Sequence, residues 1–335
     1  MRKLALTIAT VLATWSGPIG AGAAEPLKIR VAWIVPATNI ASILFAKPEL
    51  AKHLGRSYTM EPVRFQGTPP MITALAVDDI DVALLGYSSL NLAVLNAGMS
   101  DLRIVADEFQ DGVGDYKSNE FFVRSDSGIA SVADLKGKIV GTNAAGSAVD
   151  IAAKAMLRKA KLEDRRDFTV IEASFPAMKA MLAEKKVDMI PSVVPFSEDP
   201  ALRSSSRVLF TQKDALGASS LGLWVVRKSF IEKNRAALVD FLEDTLVETR
   251  WYLDPAHHEE AVRIAATFTK APPSLFDGWL FTKKDYYRDP KLIPDVAAMQ
   301  ANINLQGQLG FLKGKMDVKK YIDLSYVEEA GKRVK

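Results

Sequence analysis

From residue 27 to residue 190, short apolar runs alternate with amphipathic stretches, and this alternation restricts the fold more than any other feature of the chain. Strand followed by helix, repeated many times, buries both kinds of apolar face in a largely parallel sheet with helices on both sides. In a first series, strands are predicted at 27–35, 58–65, 81–85 and 102–108. Ile29, Val31, Trp33 and Val35 supply the alternation of the first of these. Helices are predicted over 40–54, from Pro69-Pro70 to Val77 with Thr68 as N-cap, and over 89–97. A second series starts near Asn119, with strands at 120–124, 138–142, 168–172 and 187–190, the last stopping at Pro191. Between them come a helical turn at 131–137 and helices at 148–159 and 175–184. A further apolar strand at 221–226 precedes a tail that reads as helices. In that tail Leu238, Phe241, Leu242 and Leu246 keep the spacing of a buried stripe. Breaks fall at Asp254-Pro255, Pro272-Pro273 and Asp289-Pro290.

The small polar residues cluster where strands hand over to helices. They are Thr38-Asn39, Gln66-Gly67-Thr68, Gly86-Tyr87-Ser88-Ser89 and Asn143-Ala144-Ala145-Gly146-Ser147. Ligands of parallel sheets sit beyond the carboxyl ends of the strands, where such loops lie. Each helix start there also offers unpaired backbone N–H groups and the positive end of a dipole. Several such ends in one cleft can hold an anion without arginines. Taken singly, each loop could be no more than a helix cap; four at corresponding places point to a shared cleft. Phe196, after a strand broken by Pro191, either walls a pocket or plugs a surface crevice.

Composition removes most chemistry. The 335 residues contain no cysteine, so disulfides, zinc ribbons, thiol nucleophiles and iron–sulfur clusters are excluded. Of the three histidines, His257 and His258 are adjacent and diverge on a helix, and His53 stands alone, so no zinc motif forms. Asp78, Asp79 and Asp81 read as a solvated turn, not a metal site. The segment 141–147 lacks both the Walker ending and the second glycine of the dinucleotide fingerprint. No cofactor and no metal is expected. The net charge of +3 falls to +1 without Arg2 and Lys3, which argues against a nucleic-acid surface.

Those two cations open a different pattern. Met1-Arg2-Lys3, an apolar run to Trp15 and the Ala21-Gly22-Ala23-Ala24 ending describe a secretory signal peptide over residues 1–24. The run is too short to span a bilayer, and no cysteine follows to take a lipid. The expectation is an exported periplasmic protein with no membrane insertion.

Three stretches make the chain resemble the periplasmic solute-binding proteins of ABC importers, and within them the nitrate/sulfonate/taurine group, related to the pyrimidine-precursor binders. They are Gly67-Thr68-Pro69-Pro70 with Ala74-Leu75-Ala76-Val77-Asp78-Asp79-Ile80-Asp81-Val82-Ala83, then Asp134-Leu135-Lys136-Gly137-Lys138-Ile139-Val140-Gly141 with the Gly146-Ser147 helix start, and finally residues 320–330. The resemblance implies a two-lobe type II periplasmic-binding-protein fold of the α/β class, each lobe a mainly parallel sheet flanked by helices. Lobe 1 would comprise 25–120 and 222–335, and lobe 2 residues 121–221. It implies ligand positions at Thr38, Asn39, Gln66, Gly67, Tyr87, Ser88, Asn143, Ser147 and Phe196. It also implies a monomer that captures a small organic anion, sulfonate-like or an aromatic carboxylate, and delivers it to a membrane permease without catalysis. No arginine stands in these loops to pair with the anion; Arg124 is a candidate folded in from elsewhere. The rivals are a ligand-binding sensor subunit and a pyrimidine-biosynthesis enzyme of the same fold, the latter disfavoured by the lack of cysteine.

Overall fold

The computed structural model describes residues 25–312 and 314–334; the predicted signal peptide lies outside the described residues. The first stretch runs β1 (Leu27–Trp33), β2 (Tyr58–Arg64), α1 (Thr68–Ala76), β3 (Ala83–Leu85), α2 (Tyr87–Asn91, extended by a π-helical turn over Leu92–Asn96) and β4 (Leu102–Asp111). The second runs β5 (Glu120–Arg124), β6 (Ile139–Thr142), α3 (Ala148–Lys159), β7 (Thr169–Glu172), α4 (Phe175–Ala183), β8 (Met189–Ser192), α5 (Pro200–Ser205), β9 (Ser206–Thr211) and α6 (Gln212–Leu216). The third runs β10 (Ser219–Arg227), α7 (Lys228–Lys233), α8 (Arg235–Leu253), α9 (His258–Thr269), α10 (Val296–Gln308) and α11 (Ser325–Arg333).

These elements make a two-lobe α/β fold. One lobe carries the parallel pair β1–β2 and the sheet β3-β10-β4, tied to β1 by a bridge between Val31 and Val82. The other carries the five-stranded sheet β7-β6-β8-β5-β9, drawn only from residues 120–211. β10 and β5 run against their neighbours. Each adjoins a place where the chain crosses between lobes, and a crossing strand has no βαβ connection to make it parallel. The two crossings touch: Ser118 Oγ accepts from the Lys213 N–H at 2.9 Å and donates to Asp111 Oδ1 at 2.7 Å.

Burial follows the apolar pattern. β4 and β10 pack Leu102, Ile104, Leu223 and Val225 at full burial, and α8 lays Leu238, Phe241, Leu242 and Leu246 against that sheet. Trp224 belongs to this core: its ring stacks on Phe241 with centroids 5.4 Å apart, and its indole N–H reaches Glu108 Oε2 at 2.8 Å.

Several expected elements differ. The helix predicted over 40–54 shrinks to a 3-10 turn at Ile40–Ser42. Pro48 lies in its middle, where it removes an N–H and clashes with the preceding turn. The strand expected to stop at Pro191 continues through it as β8. Its ladder with β6 is the single pair Val140–Met189, so Pro191 stands where that side no longer needs an N–H. α2 starts two residues earlier than predicted, and Gly67, not Thr68, is the N-cap of α1. The strand β9 has no counterpart in the sequence reading, and between α9 and α10 the expected breaks at Pro272-Pro273 and Asp289-Pro290 widen into one irregular segment with a single 3-10 turn at Pro273–Leu275.

Candidate functional site

Four helices begin at the cleft. Thr68 of α1, Gly86 at the N-cap of α2, Ser147, Ala148 and Val149 at the start of α3, and Phe175 of α4 all line one cavity of about 80 Å³. Each of these helices follows a strand, so the alternation read from the sequence is what delivers them here. The opening N–H groups of a helix have no partner within it. In α3 the Ser147 Oγ takes the N–H of Asp150 at 3.3 Å, which leaves those of Ala148 and Val149 available. In α1, Pro69 and Pro70 have no N–H to leave unpaired.

The remaining lining is neutral. Thr38, Asn39, Asn119 and Asn143 supply polar atoms, while Phe109, Val193, Leu221 and Tyr286 supply apolar surface. Among the described residues, no lysine, arginine, histidine or carboxylate lines this inner chamber. Asp150, just inside α3, is buried and carries a raised pKa because burial disfavours its charge. Its carboxylate is held by Lys154 at 2.9 Å and the Gly146 N–H at 2.8 Å.

Direct bonds cross the cleft. Thr38 Oγ1 donates to the Val194 carbonyl at 2.6 Å. Gln66 Nε2 donates to the Asn143 carbonyl at 3.2 Å, and Asn143 Nδ2 returns a bond to the Gln66 carbonyl at 3.4 Å. Gly67 makes this approach possible: a Cβ there would lie 2.9 Å from both Asn143 Nδ2 and Ala144 Cβ. Asn143 Oδ1 also accepts from Ser147 Oγ at 2.7 Å. The serine is therefore oriented and capped, with no base beside it to make it a nucleophile.

Of the nine expected ligand positions, Thr38, Asn39, Asn143 and Ser147 line the inner chamber. Gln66 and Phe196 line an adjoining outer chamber of about 290 Å³, and Gly67 sits between the lobes. Tyr87 and Ser88 line neither. Both are wholly buried without hydrogen-bond partners for their hydroxyls, and burial together with Asp111 pushes the Tyr87 phenol up. The helix start they share reaches the chamber through Gly86 instead. Asn39 uses its Oδ1 to hold the N–H groups of Ile34 and Val35, at 2.9 and 2.7 Å, so it shapes the loop.

Arg124 is not at the cleft. It pairs with Asp126 and with the carbonyls of Leu182 and Val187. The arginine that folds in beside the site is Arg288, which donates to the Thr38 carbonyl at 2.6 Å while paired with buried Asp285 at 3.1 Å. Asn119 and Tyr286, hydrogen-bonded to each other, also line the chamber and carry no local signal in the sequence. Phe175 opens a helix after a strand, as Thr68 and Ala148 do, so the same alternation points to it.

Carboxylates lie behind the chamber on β4. Burial raises Glu108 and Asp111 to about 7 each and lifts Asp107 well above the carboxylate range. Glu108 Oε1 takes the Ile40 N–H, and Asp111 holds Ser118 and the Asn119 N–H. Among the described residues His53, Asp240 and Glu243 bring ligand-type atoms together. Lys52 and Arg333 already pair with that group, which makes it an ion-pair network at the foot of α8. No helix among the described residues is long and apolar enough to cross a membrane.

Known proteins place this geometry in context. The model of the NMT1-like family matches residues 22–266. A putative aliphatic sulfonates-binding protein of Bacillus subtilis (strain 168) is 25% identical over 270 residues, 80% of this chain and 77% of its own. The alkanesulfonate-binding protein SsuA from Xanthomonas axonopodis pv. citri, solved with MOPS, shares the fold at TM-score 0.70 and 20% identity, covering 90% of this chain and 99% of its own. The periplasmic nitrate-binding protein NrtA from Synechocystis PCC 6803 does so at TM-score 0.71 and 14% identity, covering 93% and 90%. A desulfurization enzyme, DSZB, also has this fold, at TM-score 0.63 and 13% identity, covering 92% and 99%.

Proposed function

The chain belongs to the NMT1-like family, as an SsuA/NrtA-like solute-binding protein, and from that premise we propose that it captures a small organic anion and passes it to the membrane permease of an ABC importer. The observation that carries this reading is the convergence of four helix starts on a cavity that, among the described residues, no charged side chain lines. Backbone dipoles and neutral donors favour an anion without a fixed countercharge in the chamber. The apolar part of the lining suits an organic body, of the sulfonate, taurine or aromatic-carboxylate kind. Sulfonate binding in the named relatives supports that class.

In this reading residues 25–120 and 222–335 form one lobe and 121–221 the other, with solute capture closing them over the inner chamber. Residues 1–24 are the export signal, the site of action is the periplasm, and the working unit is a monomer. Thr38, Asn143 and Ser147 bind solute directly, Asn39 and Gly67 shape the cleft, and Gln66 and Phe196 border its outer part.

Binding without catalysis is the reading we adopt. The chain has no thiol, and among the described residues no carboxylate or histidine lines the chamber to act as base. A thermal-shift screen with alkanesulfonates, taurine, nitrate and aromatic carboxylates tests the proposal. A ligand at a hundred times its Kd adds about 2.7 kcal/mol of stability, which moves the transition visibly. Silence across all four classes would reject anion capture.

A further inference from the structure

The outer chamber shares Ile34, Val35 and Phe175 with the inner one, so a single wall of side chains separates them. Phe65, Phe175 and Phe196 give it an aromatic lining, and among the described residues Arg64 is the only charged side chain that lines either chamber. Arg64 ends β2 opposite Trp33, and its guanidinium lies over the Trp33 ring at 5.5 Å. That is a cation–π distance, and the guanidinium N–H groups, which match a carboxylate or sulfonate, make no hydrogen bond to another described residue. No carboxylate among the described residues lies within ion-pair distance of it. The other cations of these two strands are paired: Lys28 with Glu61 at 3.1 Å, and Arg30 with Asp81 at 2.9 Å.

The inner chamber, at about 80 Å³, accommodates a headgroup and little more, so any larger solute must extend past Phe175. We infer that the solute is an elongated organic dianion. One acidic group sits among the helix starts, an apolar or aromatic spacer passes between Phe175, Phe65 and Phe196, and the second acidic group meets Arg64. The inference rests on the anion-capture reading of the inner chamber and adds the size and second charge of the ligand.

Calorimetric titration of the purified protein with matched pairs tests it. Suitable pairs are benzenesulfonate against 4-sulfobenzoate, and butanesulfonate against 4-sulfobutanoate, each titrated into wild type and Arg64→Gln. Wild type should favour the better-fitting dianion over its monoanion by about fivefold, the scale of one partly exposed ion pair. Arg64→Gln should bring that ratio close to one, and high salt should shrink it in wild type. A ratio near one in wild type for both pairs, or a preference that survives in Arg64→Gln, overturns the dianion. If monoanions bind but dianions do not, the dianion is equally overturned while anion capture stands. If neither kind binds, anion capture itself fails.

Discussion

The inner chamber and the carboxylate layer meet at strand β4, where Phe109 faces the chamber while Asp107, Glu108 and Asp111 are buried in the sheet around it. In the layer, carboxyl groups are taken out of water and held by fixed partners, Glu108 by Trp224 and the Ile40 N–H, and the buried pair of Asp285 with Arg288 is held in the same way. Such groups pay a desolvation cost that permanent hydrogen bonds only partly return, and their raised pKa values record it. The chamber holds no charge of its own and presents dipoles and neutral donors. The lesson is that a buried charge in this fold is scaffolding, whereas a place kept free of charge but lined with positive dipole ends is prepared to receive one.

The largest effect should come from breaking the scaffold. Arg288→Met leaves Asp285 buried without its partner and should lower unfolding free energy by about 3–5 kcal/mol, read from urea denaturation. The double variant with Asp285→Asn should recover much of that loss. A single variant as stable as wild type would mean the pair is not structural.

Next comes placing a charge where none stands. Ser147→Asp keeps a good N-cap, because aspartate caps as well as serine, yet sets a carboxylate beside the expected anion. Two like charges about 4 Å apart at an effective dielectric of about 20 repel by about 4 kcal/mol. Binding should fall more than a hundredfold; because the new carboxylate meets Asn143 Oδ1, where the serine hydroxyl donated, the melting temperature of the empty protein is read alongside to separate any loss of stability from the loss of binding. Retained affinity would remove the start of α3 from the site.

A smaller loss follows from deleting one neutral donor. Asn143→Ala should weaken anion binding about tenfold, close to 1.4 kcal/mol. Ser147→Ala should do the same and also cost about 1 kcal/mol of stability through the lost cap.

The smallest effect is a pH dependence confined to the scaffold. Glu108 and Asp111 titrate near 7 in the native state, against ordinary values of 4.5 and 3.8. Between about pH 4 and 7 the folded protein therefore holds protons that the unfolded chain has released, and stability falls as pH rises through that window. Carboxylates with lowered values, such as Glu198 and Asp199, act in the opposite direction but only nearer pH 4 and below. Moving from pH 7.5 to 6 should add about 1 kcal/mol from each of the two groups, and Glu108→Gln should remove one of those shares, roughly halving the slope. A slope unchanged in Glu108→Gln would acquit that residue.

The legible part of this molecule was what depends on neighbours in sequence. Alternating strands and helices, the Ser147 cap and the apolar stripe of α8 are set by periodicity and local hydrogen bonding. The helix starts at the cleft were readable because a parallel sheet puts them there. Tyr87 and Ser88 misled because loop position does not say which way a side chain turns; their helix start contributes Gly86 and buries them. Arg288, Asn119 and Tyr286 were invisible for a different reason. They reach the site from the crossing segment and from the irregular stretch before α10, so only long-range packing brings them in. The failed helix after Asn39 shows a local signal, Pro48, outweighing apolar periodicity.

The central claim is that the inner chamber recognises negative charge through helix starts and neutral donors. Titration with a charged ligand and its neutral isostere, propanesulfonate against propanesulfonamide, tests it most directly. The account predicts binding of the sulfonate, at least tenfold weaker binding of the sulfonamide, and loss of the difference in Ser147→Asp. A sulfonamide that binds as tightly as the sulfonate would contradict it.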